Sequence, residues 1–266
     1  MSFMIAFFIM SSFSLGLVFG SFFNVIVYRF ADDELNWKKG RSSCESCGTK
    51  IHWFDNIPLL SFILLKGRCR RCQERIALFH PLIEFLTGLI FASVAYWQIC
   101  INFNVFSFLF WLFVIAVTWL IFLFDWFYLI IPDELVIVLA ICGLTKNLIT
   151  YSFGQLSPFQ LYSTFAVALI TTGLFWFLRW VTKKKGMGLG DVKLVGPLVL
   201  LMGFPESLVG VVLAFMIGAF FGIILVVLKQ KKIKQKIAFG PFLIIGFWQA
   251  LLIGKSVWEA YWQLII

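Results

Sequence analysis

The chain has 266 residues, of which 61% are hydrophobic and only 13% charged. A water-soluble domain carries about 25% charge, so the composition excludes an ordinary soluble protein and indicates an all-α polytopic membrane protein with about eight transmembrane helices. The net charge of +9 is gathered into three blocks, a pattern that reports membrane topology and not nucleic-acid binding.

The first apolar stretch covers residues 3–28. It lacks a basic leader region and a small-residue cleavage site, so it is expected to stay as a membrane helix. It closes on Gly20-Ser21-Phe22-Phe23-Asn24 and runs on to Arg29. Ser21 and Asn24 stand three apart and share a helix face. Small and polar residues so placed usually hold helices together, and spacing alone favours that role.

Residues 30–78 are polar, basic and rich in cysteine. Cys44 and Cys47 form one C-x2-C pair, Cys69 and Cys72 a second, with 21 residues between the pairs. Four thiolates at this spacing suit one tetrahedral structural zinc per chain, as in zinc ribbons. A disulfide pair is the alternative, disfavoured because this loop is expected to face the reducing cytoplasm. His52 is expected at the loop surface and His80 at the membrane edge. Cys100 and Cys142 are expected to pack.

Seven further apolar segments follow, at 79–99, 105–124, 134–150, 158–181, 191–203, 206–228 and 238–254. Glu84 lies near the start of the first of these, where a salt bridge to the basic loop is its simplest explanation. Segment 191–203 has only 13 residues, against about 20 for a bilayer core, so it must be short, tilted or sheltered. Ten Lys and Arg residues fall in 29–75, five in 179–193 and five in 229–236. Eight spans put all three blocks on one side, which the positive-inside rule makes cytoplasmic. On that parity Asp125 ends the third span and Asp191 begins the sixth, both at the cytoplasmic side.

An acid at a membrane edge is costly and is by default a functional candidate. Asp191 follows Gly186-Met187-Gly188-Leu189-Gly190, a rhythm that permits close backbone approach; helix capping is its plainer role. Asp125 follows twenty uncharged residues, and its plainer role is an ion pair with a nearby Lys or Arg. Asp133, after Pro132, is explained by the dipole of the next helix. Two carboxyls a few ångströms apart do not both ionise easily. Such a pair can activate water with one member and protonate a carbonyl oxygen with the other.

Taken in order, these motifs resemble the type IV prepilin peptidase family, including its competence-pilin processing enzymes. They are Gly20–Asn24 with Arg29, the cysteine loop with Asp55-Asn56-Ile57-Pro58-Leu59-Leu60-Ser61, and Gly67-Arg68-Cys69-Arg70. His80-Pro81-Leu82-Ile83-Glu84, Asp125 with Pro132-Asp133, Gly188-Leu189-Gly190-Asp191 and Phe239-Gly240-Pro241-Phe242 complete the set. The resemblance covers nearly the whole chain. It implies a GxGD-type aspartic endopeptidase of the bacterial cytoplasmic membrane, with Asp125 and Asp191 as its acids near the cytoplasmic face and Gly188 and Gly190 in support. It also implies that the front part, with Ser21, Asn24, Arg29 and Glu84, N-methylates the new N-terminus using S-adenosylmethionine. The substrates implied are prepilins or pseudopilins in the lipid bilayer, as in pili, competence and type II secretion, with no nucleic acid. Many relatives have a second acid two residues after the position of Asp125, where this chain has Phe127.

The division expected is a front part, 1–85, and a protease part, 86–266. Two other readings stand beside this one. A related GxGD intramembrane protease without methyltransferase activity would leave the cysteine loop unexplained. A proton-coupled transporter would carry acids deeper in its spans and symmetry between halves.

Overall fold

A backbone that crosses lipid must satisfy its own hydrogen bonds, so apolar stretches of this length fold as helices. The computed structural model describes residues 2–30, 42–44, 46–101, 103–184, 186–228 and 238–265. Residues 31–41 of the polar loop, Lys185 and the basic run at 229–236 lie outside the described residues. Among the described residues the elements are α1 (Ser2–Phe30), a 3-10 turn (Trp53–Asn56), α2 (Leu60–Leu64), α3 (Phe79–Ile101) and α4 (Val105–Tyr128). There follow α5 (Asp133–Ser152), α6 (Pro158–Val181), α7 (Leu189–Met202), α8 (Glu206–Val227) and α9 (Gly240–Ile265). Seven of these are long and apolar enough to cross a membrane. The protein is therefore a multi-pass membrane protein. The eighth expected segment is α7, with 14 residues.

The chain divides into two compact units, Met1–Ala116 and Val117–Ile266. In the first, α1 packs along α3. Gly16 and Gly20 make this possible: a Cβ on Gly16 would stand 2.6 Å from the Thr87 carbonyl oxygen, and one on Gly20 would stand 2.7 Å from Glu84 Cα. Such small-x3-small spacing lets helix backbones approach in lipid, where dispersion contacts replace the hydrophobic effect.

In the second unit α7 packs against α5, α6, α8 and α9. Eight of its residues are buried, Asp191 among them. Burial by neighbours is thus how so short a segment is accommodated. Its C-terminal carbonyls are met by α5: Lys146 Nζ donates to Leu201 O at 2.7 Å and Asn147 Nδ2 to Leu200 O at 2.8 Å. A cation there complements the helix dipole. Near the other end, Lys193 Nζ pairs with Asp133 Oδ2 at 2.8 Å, tying α7 to the first residue of α5. Asp133 therefore has an ion-pair partner in addition to the helix-end position expected for it.

Candidate functional site

Two acids far apart in sequence meet in the second unit. Asp125 lies in the last turn of α4 and Asp191 in the first turn of α7; they are 5% and 6% exposed. Their carboxyl groups are within Coulombic reach of each other. The backbone N–H of Gly240, at the start of α9, approaches both. Among the described residues Asp125 has no ion pair, and its Oδ2 is buried without a hydrogen-bond partner. The Lys or Arg partner expected for an ordinary interfacial acid is thus not found there.

The glycines around the pair are defined by space. A Cβ on Gly240 would stand 2.5 Å from Asp125 Oδ2 and 3.1 Å from Ile131 Cδ1. On Gly190 it would meet Ile131 Cβ at 2.9 Å, and on Gly188 it would meet Asp191 Oδ2 at 2.9 Å. Gly188 is the N-cap of α7, with an ordinary extended conformation at φ −67°. Its N–H donates to Asp191 Oδ2 at 3.1 Å, so Asp191 caps the helix from its third position and is not itself the N-cap residue that the sequence suggested. The loop before it is fixed by Arg179 of α6, whose Nη1 donates to Met187 O at 2.8 Å. Leu129, just beyond α4, has φ 57°, a left-handed conformation uncommon for a non-glycine residue.

Sequence reasoning about side chains gave no role to Gly240 and counted Arg179 only as a topology signal. The Gly-Pro pair opening the last apolar segment was the one local cue to a tight approach there.

The four cysteines of the first unit also converge. Their Sγ atoms all lie within 4.8 Å of one another, and Cys44 Sγ is 3.7 Å from Cys72 Sγ. A tetrahedron with Zn–S bonds of about 2.3 Å has sulfur–sulfur edges of about 3.8 Å. Each pair sits in a matching turn. Gly48 N–H donates to Cys44 O at 2.9 Å and Gln73 N–H to Cys69 O at 3.1 Å. Single bridges, Ser43 to Lys50 and Arg68 to Arg75, close the two turns. Hydrogen bonding with the Thr49 side chain and backbone lowers the Cys47 thiol to about 6, favouring the thiolate that a metal requires. The cluster can hold a metal ion. His52 is exposed and stacks on Phe54 at 5.2 Å, apart from the sulfur set as expected.

The same unit holds a cavity of about 650 Å³, lined among others by Ser21, Asn24, Arg29 and Glu84. All four front-part residues singled out in the sequence thus border one space. Asn24 Nδ2 donates to His80 O at 3.0 Å, while its Oδ1 is buried without a hydrogen-bond partner among the described residues. Glu84 was expected to pair with a basic side chain. Instead its Oε2 accepts from the Leu59 N–H at 2.9 Å, and Ser21 lies within interaction range of the same carboxyl. A backbone donor reaches it because Leu59 holds φ 57°. Asp55 takes up a basic partner: Arg70 Nη2 and Nε meet Asp55 Oδ1 and Oδ2 at 2.6 and 2.9 Å. Cys100, expected to pack, is exposed.

Two neighbouring buried carboxylates, one on a long apolar helix and one on a short sheltered helix, with a four-sulfur loop ahead of them in the chain, are the site features of this multi-pass membrane protein. Comparison with known proteins then gives the family. The bacterial peptidase A24 N-terminal domain matches residues 14–99, and the type IV leader peptidase family matches residues 106–223. The chain is 32% identical over 280 residues to the prepilin leader peptidase/N-methyltransferase of Aeromonas salmonicida, covering 96% of this chain and 94% of that protein. It is 33% identical to the protein so named in Aeromonas hydrophila, covering 94% and 92%. The counterpart in Neisseria gonorrhoeae is 32% identical, covering 92% and 91%. No solved structure matches the chain. This chain belongs to the type IV leader peptidase family.

Proposed function

We propose that the protein removes the leader peptide from prepilins or pseudopilins on the cytoplasmic side of the bacterial cytoplasmic membrane, and then N-methylates the new N-terminus. The observation that carries the peptidase half is the pairing of buried Asp125 and Asp191 against one backbone N–H, that of Gly240. The protease part takes the residues after 85 and the methyl-transfer part those before, with Ser21, Asn24, Arg29 and Glu84 in the latter.

Two neighbouring carboxyl groups hold one proton between them, because like charges this close do not both ionise easily. The ionised member takes a proton from water as the water oxygen bonds to the scissile carbonyl carbon. The protonated member gives its proton to the carbonyl oxygen. The tetrahedral adduct then collapses: one hydroxyl returns its proton to the carboxylate that had given it, C=O re-forms, the C–N bond breaks with its electron pair going to nitrogen, and the other carboxyl protonates that nitrogen. Asp125 Oδ2, buried and without a hydrogen-bond partner among the described residues, offers a lone pair for this exchange. Gly188, Gly190 and Gly240 let the backbone close directly onto the acids and Ile131, which fixes where the carboxyl groups stand.

The four cysteines bind one structural zinc, which closes the 44–72 loop. S-adenosylmethionine is the methyl donor. The acids lie at the ends of α4 and α7, not midway along them, which weighs against a proton-relay transporter. The test is incubation of purified protein with a pilin precursor, followed by mass spectrometry of the product N-terminus. A shortened, methylated product is expected. An uncleaved precursor would overturn the reading, and a shortened product without added methyl mass would reduce it to a peptidase.

A further inference from the structure

The methyl-transfer half of the reading above leaves the donor without a location, and the front unit offers one. Its cavity of about 650 Å³ is within the range of about 300–1,000 Å³ usual for small-molecule sites. It is the right size for a nucleoside-bearing amino acid and far larger than a structural water needs. Its lining carries both signs of charge: Asn24 and Arg29 come from α1 and Glu84 from α3, while Arg71, Glu74 and Arg75 border it from the cysteine loop.

Two features show that the base is built for a ligand. Asn24 is 7% exposed, yet among the described residues its Oδ1 has no partner while its Nδ2 is held by His80 O. A buried carbonyl oxygen left unpaired costs about 1–3 kcal/mol, so it awaits a donor. Glu84 Oε2 accepts from the Leu59 N–H at 2.9 Å, and among the described residues no guanidinium or ammonium is paired with that oxygen, so the carboxyl is positioned to meet a cation.

We propose that this cavity binds S-adenosylmethionine, with Asn24 Oδ1 and Glu84 meeting the cationic, donor-bearing part of the ligand and the arginine border meeting its carboxylate. This rests on the methyltransferase reading. When bound, the ligand supplies an electrophilic methyl on a sulfonium. The lone pair of the new N-terminal amine forms the N–C bond as the C–S bond breaks, and the bonding pair passes to sulfur, leaving a neutral thioether. The methylated ammonium then loses a proton to the Glu84 carboxylate. Ser21, within range of that carboxyl, helps hold it in place.

The test uses the full-length protein in detergent and S-adenosylhomocysteine as the probe, with binding measured by calorimetry. Asn24→Ala and Glu84→Gln should each weaken binding by about tenfold or more, the scale of one lost interaction with a charged group. Because Asn24 also bonds α1 to the His80 carbonyl, a third variant guards against misfolding. Ala77 is exposed at the border of the cavity, and Ala77→Trp should block entry. Precursor cleavage serves as the folding control and should persist in all three. Unchanged binding in all three variants, with the parent protein still methylating its product, overturns the cavity assignment and leaves the bifunctional reading standing. A parent protein that cleaves but neither binds the probe nor methylates overturns both.

Discussion

Gly240 and Asp125 fit together with no room to spare: a single added β-carbon on Gly240 would stand 2.5 Å from Asp125 Oδ2. The same carbon would press Ile131 Cδ1 at 3.1 Å. Gly240→Ala should therefore displace the carboxyl and lower cleavage by about a hundredfold, the scale of an ångström-level misplacement. Gly173→Ala is the control, since a Cβ there meets nothing within 4 Å. Rates of precursor cleavage for the two variants, at matched protein levels, check this. Equal rates would remove Gly240 from the site.

Asp125→Asn and Asp191→Asn should each reduce cleavage by at least about three orders of magnitude, and the double variant should be no worse than either, because a catalytic unit fails as a unit. The Asn at 191 keeps an oxygen that can accept the Gly188 N–H. Loss of activity in that variant would thus reflect lost acid chemistry and not a lost cap. Full activity in either single variant would sink the pair.

Lys193 and Asp133 behave differently. Their pair is solvent-facing, with side chains 41% and 60% exposed, so Asp133→Asn should cost only about 0.2–1 kcal/mol. Cleavage should fall little in that variant. A loss as deep as that of Asp125→Asn would place Asp133 in the chemistry.

One zinc per chain is expected by metal analysis of protein purified without chelator. Cys→Ser at 44, 47, 69 or 72 should lower zinc content and protein abundance, because metal affinity is folding free energy for such a loop. A Cys44–Cys72 disulfide in cells, or metal-free protein, would rule the site out.

The Arg70 guanidinium beside Asp55 holds its carboxyl below the usual carboxylate range, first through their hydrogen bonds. An unfolded chain lacks that partner. The stabilisation is therefore fully present above about pH 4, the ordinary Asp value, and is lost as pH falls through the lower folded value. With Arg70 59% exposed, solvent screening keeps it small. Limited proteolysis of the 44–72 loop should find Asp55→Asn more susceptible than the parent at neutral pH, with the difference fading in acid. A difference that persists at the lowest pH would mean that the pair is not its source.

Much of this arrangement could be read along the chain. Uncharged runs announce helices, and paired C-x2-C motifs announce convergence, because both depend on near neighbours. Asp125 and Asp191 stood out because nothing local accounted for Asp125. Gly240 did not, because a glycine's value lies in what would collide with an absent side chain, and that belongs to tertiary packing. Glu84 misled for a similar reason: its actual donor is a backbone N–H made available by the left-handed Leu59. No pattern of charges predicts such a donor. Arg179 looked like a topology marker, although its hydrogen bond to Met187 O steadies the turn before Asp191.

The brevity of α7 has a consequence for how the reaction is supplied. Its 14 residues make a rod of about 21 Å, whereas the hydrocarbon slab is about 30 Å thick. Such a rod cannot touch both faces, so wherever it stands within the slab at least one of its ends falls short of a lipid surface. If the sunken end is the one bearing Asp191, the lytic water has to be drawn down through a local dimple in the bilayer. Turnover would then depend on acyl-chain length, rising in thin membranes and slowing in thick ones, with the lipid acting as a rheostat on a protein whose own atoms stay unchanged.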